Sequence, residues 1–251
     1  MTVTAPVLVL VMPRGSSGAA TMSAHRLRQR LAKLHPHVET AIAFAGTEDV
    51  PAVPPAPKSS WSEVVLVPVD LTHLQDPQDP VLALAEQLSQ DHAELSVRVS
   101  RPLGPGPALL GVIDSRVWMA THRAHTQEID ALVLSAPDGG DRRGAAMLSR
   151  MSRMWSQHHH IPVRLATGAT GSGQVAEVIH ALRAEGRRHV AVGSLWVNNG
   201  VESHEHDLAA LEAGAEVVSE PIGDDPLLAR WAFERYCSAA MGSVAEASSQ
   251  E

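Results

Sequence analysis

Pro102-Leu103-Gly104-Pro105-Gly106-Pro107-Ala108-Leu109-Leu110 and Pro221-Ile222-Gly223-Asp224-Asp225-Pro226-Leu227-Leu228 are one short device written twice, their first prolines 119 residues apart. In each, a Pro–aliphatic–Gly turn is followed by a further proline and then by a helical pattern, predicted over 109–119 and 227–240. In front of each lies a short aliphatic stretch, 95–99 and 216–219, that reads as a strand. Further back the offset persists. Pro13 and Pro137 are 124 apart, and Pro68 and Ser194 are 126 apart. A near-constant offset over the whole chain marks an internal duplication.

Working outward, the first copy predicts strands at 7–12, 38–44, 64–69 and 95–99, with helices at 22–34, 80–90 and 109–119. The second predicts strands at 131–135, 162–166, 190–192 and 216–219, with helices at 145–157, 174–185, 206–214 and 227–240. Strands alternating with helices imply parallel sheets built from βαβ units. The expected architecture is therefore α/β, two tandem half-domains (1–121 and 128–242), each a small parallel sheet flanked by helices. A cleft is expected between them, and 243–251 is expected to be a flexible tail. One asymmetry stands out. Pro51, Pro54, Pro55 and Pro57 forbid a helix in the first copy where the second has 174–185.

Composition narrows the function. The net charge of −8 argues against a nucleic-acid partner, since phosphate binding needs surplus Lys and Arg. A single cysteine, Cys237, excludes a disulfide framework and a cysteine metal cage. No stretch reaches the roughly 20 apolar residues of a membrane span, so no membrane partner and a cytoplasmic location are expected. The run His158-His159-His160 reads as a solvated loop. The stretch from Gly168 to Gly173 lacks the lysine and the glycine spacing of a nucleotide loop, and reads as a turn. Trp155, Trp196 and Trp231 are expected in the core or lining a cleft.

On these elements the chain resembles the class II tetrapyrrole chelatases, the CbiX and sirohydrochlorin chelatase type. That family opens with a strand running into Gly-His-Gly-Ser. Its third strand runs into Val-Pro-x-Phe-Leu-x-x-Gly-x-His, and a later strand into Pro-Leu-Gly-x-x-Pro. Here Pro102-Leu103-Gly104 and Pro107 keep the last motif, while the first reads Pro13-Arg14-Gly15-Ser16. The third-strand motif reads Pro68-Val69-Asp70-Leu71-Thr72-His73-Leu74-Gln75-Asp76, with Asp76 on the histidine position. The second copy reads Pro137-Asp138-Gly139-Gly140, and then runs from Ser194 through Trp196 to Glu202, which takes the ligand position ahead of His204, His206 and Asp207.

The resemblance implies chelatase-like half-domains and insertion of a divalent metal (cobalt, iron or nickel, as substrate) into a tetrapyrrole, as in cobalamin or siroheme biosynthesis. No organic cofactor is implied, and the protein is expected as a monomer or homodimer. Metal insertion removes two pyrrole protons and strips water from the ion, tasks that suit imidazole and carboxylate. Glu202, His204 and His73 are the candidate catalytic residues. His73, Asp76, Glu202, His204 and His206 are the candidate metal ligands. Arg14, Gly15, Ser16 and Trp196 are the candidate substrate contacts; an always-charged guanidinium at 14 suits a substrate carboxylate and not a metal. The alternatives are a catalytically inactive homologue that carries a tetrapyrrole or metal, and a structural or regulatory protein on the same fold. The cluster from Glu202 to Asp207 also suits the capped, acidic start of a helix.

Overall fold

A computed structural model of the chain describes residues 5–13, 18–46, 52–126, 128–138, 140–168 and 173–247. Arg14, Gly15 and Ser16, the expected substrate contacts, lie outside the described residues, as does 169–172 of the glycine-rich stretch.

Strands β1 (Val7–Met12), β2 (Thr40–Phe44), β3 (Glu63–Pro68) and β4 (Ser96–Val99) form an all-parallel sheet in the order β2-β1-β3-β4. Strands β5 (Ala131–Pro137), β6 (Val163–Gly168), β7 (Val190–Ser194) and β8 (Val217–Val218) form a second in the order β6-β5-β7-β8. The duplication read from the motifs thus extends to sheet topology. The central strands β1 and β5 are buried almost throughout, as continuous aliphatic runs covered on both faces should be.

The helices are α1 (Gly18–Leu34), α2 (Asp79–Asp91), α3 (Leu109–Arg123), α4 (Arg142–His159), α5 (Gly173–Ala184), α6 (Val201–Glu212) and α7 (Pro226–Ala247). On one face of the first sheet, Val7, Val9, Val11, Val64 and Leu66 pack with Val81, Leu84 and Leu88 of α2 and with Trp61. Trp61 stands in the proline-rich connector, so an aromatic ring fills part of the space where the second copy has a helix. Phe44 and Val53 exchange backbone hydrogen bonds of 3.0 and 2.9 Å at the start of that connector. On one face of the second sheet, Ala131, Val133, Val190 and Val192 pack with Val175, Ile179 and Leu182 of α5 and Ala210 of α6.

The repeated Pro–aliphatic–Gly turns behave alike. Leu103 and Ile222 are buried. The Leu103 N–H donates to Pro68 O at 3.2 Å, and that of Ile222 to Trp196 O at 2.8 Å. Gly104 (φ 76°) and Gly223 (φ 64°) both turn left-handed, a conformation glycine adopts without a Cβ penalty. Each glycine also marks a change of compact unit. Of the described residues, unit 1 comprises those up to 13, those from 21 to 103 and those from 224 on, and unit 2 comprises 18–20 and those from 104 to 223.

The units are therefore not the two sequence repeats. Helix α3, written at the end of the first copy, packs on β7 and β8 in unit 2, and α7, at the end of the second, packs on β3 in unit 1. Within unit 1, the Tyr236 hydroxyl donates to Pro6 O at 2.7 Å, and the Arg235 guanidinium donates to Pro102 O at 2.9 Å and to Leu103 O at 3.2 Å.

Two element boundaries differ from expectation. Helix α7 continues to Ala247, into the stretch expected to be tail. Helix α6 begins at Val201, five residues before its expected start, so Glu202 to Asp207 are its first two turns. Ser203, His206 and Ala210 make the buried stripe of α6, at helical spacing, but two of the three are polar and hide the pattern from an apolar count.

Candidate functional site

In an open parallel sheet ligands sit at the carboxyl ends of the strands, where the strand order reverses. That point lies between β1 and β3 in the first sheet and between β5 and β7 in the second.

Beyond β3 the chain is held to its neighbour by the Val69 N–H, which donates to Val11 O at 2.8 Å. Leu71 and Thr72 are buried and pin the following turn. Asp70 folds over this turn: its Oδ1 accepts from Thr72 N (2.7 Å), Thr72 Oγ1 (2.8 Å) and His73 N (3.3 Å). Its other oxygen, Oδ2, lies 2.7 Å from His73 Nδ1, and both side chains are about seven-eighths buried, at 13% and 14% exposure. Thr72 Oγ1 and Gln78 Nε2 also come within 3.2 and 3.3 Å of the same ring nitrogen. Three donors tie down Oδ1, while Oδ2 has no hydrogen-bond partner among the described residues, so the carboxylate places the imidazole by a close polar contact, and Nδ1 faces both this acceptor and the Gln78 amide donor. Asp76, expected to act with His73, is exposed. Asp70 takes that place. Its signal was an Asp-x-Thr pattern straight after a strand, the mark of an Asx turn.

Beyond β7, the second copy is built differently. Trp196 is buried, and its indole N–H donates to Ser135 Oγ at 3.0 Å; Ser135 Oγ in turn lies 3.1 Å from His206 Nδ1. The Trp196 and His206 rings sit 5.8 Å apart, and Gly168 passes against both. His206 is 3% exposed, and its Nε2 has no hydrogen-bond partner among the described residues. Burial lowers its pKa, which keeps the ring neutral.

The helical start of α6 scatters the expected ligand cluster. His206 points inward, while Glu202 and His204 are exposed. Among the described residues, the donors of Glu202, His204 and His206 do not converge on one point, and the group of three that does lies on α3 and α4. Residues two apart on a helix diverge by about 200°, which is the cause.

His204 instead shares a hollow of about 430 Å³ with Asp207, Gly200, Val201, Ser219 and Glu220. Asp207 Oδ1 is buried without a hydrogen-bond partner among the described residues. Its pKa is pushed up to about 6 by burial, with His204 opposing the rise. The folded state thus binds this proton more tightly than the unfolded chain, so stability falls as pH rises from about 4 to 6. Asp207→Asn is expected to stabilise the protein at pH 7 by on the order of 1 kcal/mol, after discounting for partial exposure. The gain should vanish below about pH 4, where both states are protonated. Urea unfolding midpoints at pH 7 and pH 3.5 check this.

Among the described residues, no helix is long and apolar enough to cross a membrane. No protein-family model and no curated protein sequence matches the chain. Solved structures do. SirB from Bacillus subtilis with Fe3+ superposes with a TM-score of 0.64 at 13% identity, over 96% of this chain and 98% of SirB. The sirohydrochlorin chelatase SirB from Bacillus subtilis subspecies spizizenii, in complex with cobalt, gives 0.57 at 14% identity, over 94% and 96%. A multi-domain protein from Deinococcus radiodurans with structural similarity to chelatases gives 0.56 at 16% identity, over 92% of this chain and 54% of that one. The chain has the class II chelatase fold.

Proposed function

We propose that this protein is a sirohydrochlorin-type chelatase, which inserts a divalent metal into a tetrapyrrole as a step of siroheme or cobalamin formation. The observation that carries the reading is the Asp70–His73 pair, held at the carboxyl edge of β3 in a fold matched end to end by SirB. His73 takes a pyrrole proton or meets the incoming cobalt, iron or nickel ion, and Asp70 sets its orientation. Arg14, with Gly15 and Ser16, binds a carboxylate arm of the macrocycle. Glu202 and His204, exposed on α6, attract the substrate ion, and Trp196 acts by holding Ser135 and His206 in place.

The second reading is a homologue that binds the macrocycle or the metal without catalysis. Arg14 at the family's histidine position and the sealed burial of His206 favour it.

Absorbance of sirohydrochlorin with cobalt, iron or nickel ions separates the two. Metal insertion above the spontaneous rate, reduced about 100-fold by His73→Ala and about 10-fold by Asp70→Asn, is the expected result. A shifted macrocycle spectrum without insertion supports the second reading, and no binding at all overturns both.

A further inference from the structure

We propose that Asp114, His158 and His159 form a surface site for a divalent transition-metal ion, separate from the Asp70–His73 pair and independent of the chelatase reading. One ligand atom from each of the three lies within 4.8 Å of the other two. His159 Nε2 is 2.7 Å from Asp114 Oδ1, and the His158 and His159 rings stand edge to face with centroids 4.8 Å apart.

The packing beneath explains why donors 45 residues apart in sequence meet. Gly193 lies in the middle of β7, and a Cβ there would fall 2.5 Å from Ile113 Cγ2 and 2.5 Å from Trp155 Cη2. Its bare backbone therefore leaves room over the strand for Ile113 of α3 and Trp155 of α4 to come together. Ile113 is followed by Asp114, and Trp155 lies one helical turn before His159. Trp155 is 1% exposed, and its indole N–H donates to Asp114 Oδ1 at 3.0 Å, a supporting hydrogen bond of the kind that orients metal-binding carboxylates. His160, left-handed at φ 57°, ends α4 with its N–H on Ser156 O, so His158 and His159 occupy the last turn. The carbonyl end of an 18-residue helix favours a cation at that place.

An ion pair between Asp114 and His159 would account for two of these residues, but it gives His158 no reason to join them. Two imidazoles and one carboxylate suit a borderline ion such as Zn2+, Co2+, Ni2+ or Cu2+ and not the hard Mg2+ or Ca2+. Donors around one tetrahedral ion stand about 3.3 Å apart, so the 2.7 Å contact opens by about half an ångström to admit it. Asp114 and His159 are about one-third exposed, which leaves the remaining coordination positions to water.

The test is calorimetric titration of the full chain, freed of metal by a chelator, with Zn2+ alone and then Co2+ alone, the latter also followed by its visible absorption. One Zn2+ site per chain is expected, which Co2+ also fills besides any Co2+ held at His73, with affinity at this site lowered at least 10-fold for both ions in Asp114→Asn and in the His158→Ala, His159→Ala double variant. His35→Ala, His37→Ala and His73→Ala should leave it unchanged; the last keeps this site apart from the proposed chelatase centre. Circular dichroism checks that each variant is folded, and the single His158→Ala, at an exposed position, gives a reading should Asp114→Asn fail to fold. Equal Zn2+ affinity in the double variant, or in His158→Ala, overturns the proposal, as does loss of the Zn2+ site in His73→Ala or the absence of a Zn2+ site stronger than the background of scattered histidines.

Discussion

Fragment 128–242, cut at the boundary of the sequence repeat, is expected to be unfolded in isolation, whereas fragment 104–223 is expected to fold. The difference is α3. Leu109, Ile113 and Val117 of this helix are buried, and the helix packs on β7 and β8. Burial of three such side chains is worth about 5–9 kcal/mol, against a typical domain stability of about 5–15 kcal/mol. A unit stripped of α3 keeps its strands but exposes one face of the sheet. The reciprocal fragment, 1–121, lacks α7, with its buried Leu228, Ala229, Ala232 and Tyr236, and should also fail. Far-ultraviolet circular dichroism with a urea titration reads the result; a cooperative transition in 128–242 equal to that of 104–223 would refute the assignment of α3.

Gly193→Ala is expected to cost about 3 kcal/mol. Alanine in place of a strand glycine ordinarily gains about 0.5–1 kcal/mol from a less flexible unfolded chain. Here two contacts of 2.5 Å, one to a branched side chain and one to a fully buried indole, reverse the sign. Neither neighbour is the loose end of a flexible side chain, so the strand or both helices must move, and overpacking of that kind costs typically 1–3 kcal/mol or more. Gly111 on α3 supplies the control, because a Cβ there meets nothing within 4 Å. Gly111→Ala should stabilise by about 0.5–1 kcal/mol from helix propensity. Opposite shifts of the two urea midpoints are the expected pair of results, and equal shifts would show that the packing under α3 and α4 is looser than described.

The candidate site was legible in unequal parts. His73 stood out because the chain after β3 is local: strand, Asx turn and imidazole follow one another within six residues, and the turn's hydrogen bonds stay inside that stretch. The cluster from Glu202 to Asp207 was visible as a concentration of donors, but its geometry depended on where α6 begins. A helix starting five residues earlier than expected sends His206 inward to Ser135 and Trp196, leaves Glu202 and His204 outside, and sets Asp207 over a hollow. The run His158-His159-His160 gave no sign of structure, because its partner Asp114 lies more than 40 residues earlier.

The order of strands and helices, the parallel sheets and their duplication follow from the sequence alone. Aliphatic runs, proline and glycine turns and a repeated offset act over short stretches of chain, and neighbouring residues suffice to specify them. The allegiance of α3 and α7, the packing of Ile113 and Trp155 over Gly193 and the meeting of Asp114 with His158 and His159 came only with the tertiary structure. An amphipathic helix declares that it has a face to bury but not which sheet will cover it. That choice is made by shape and buried area between segments far apart in the chain.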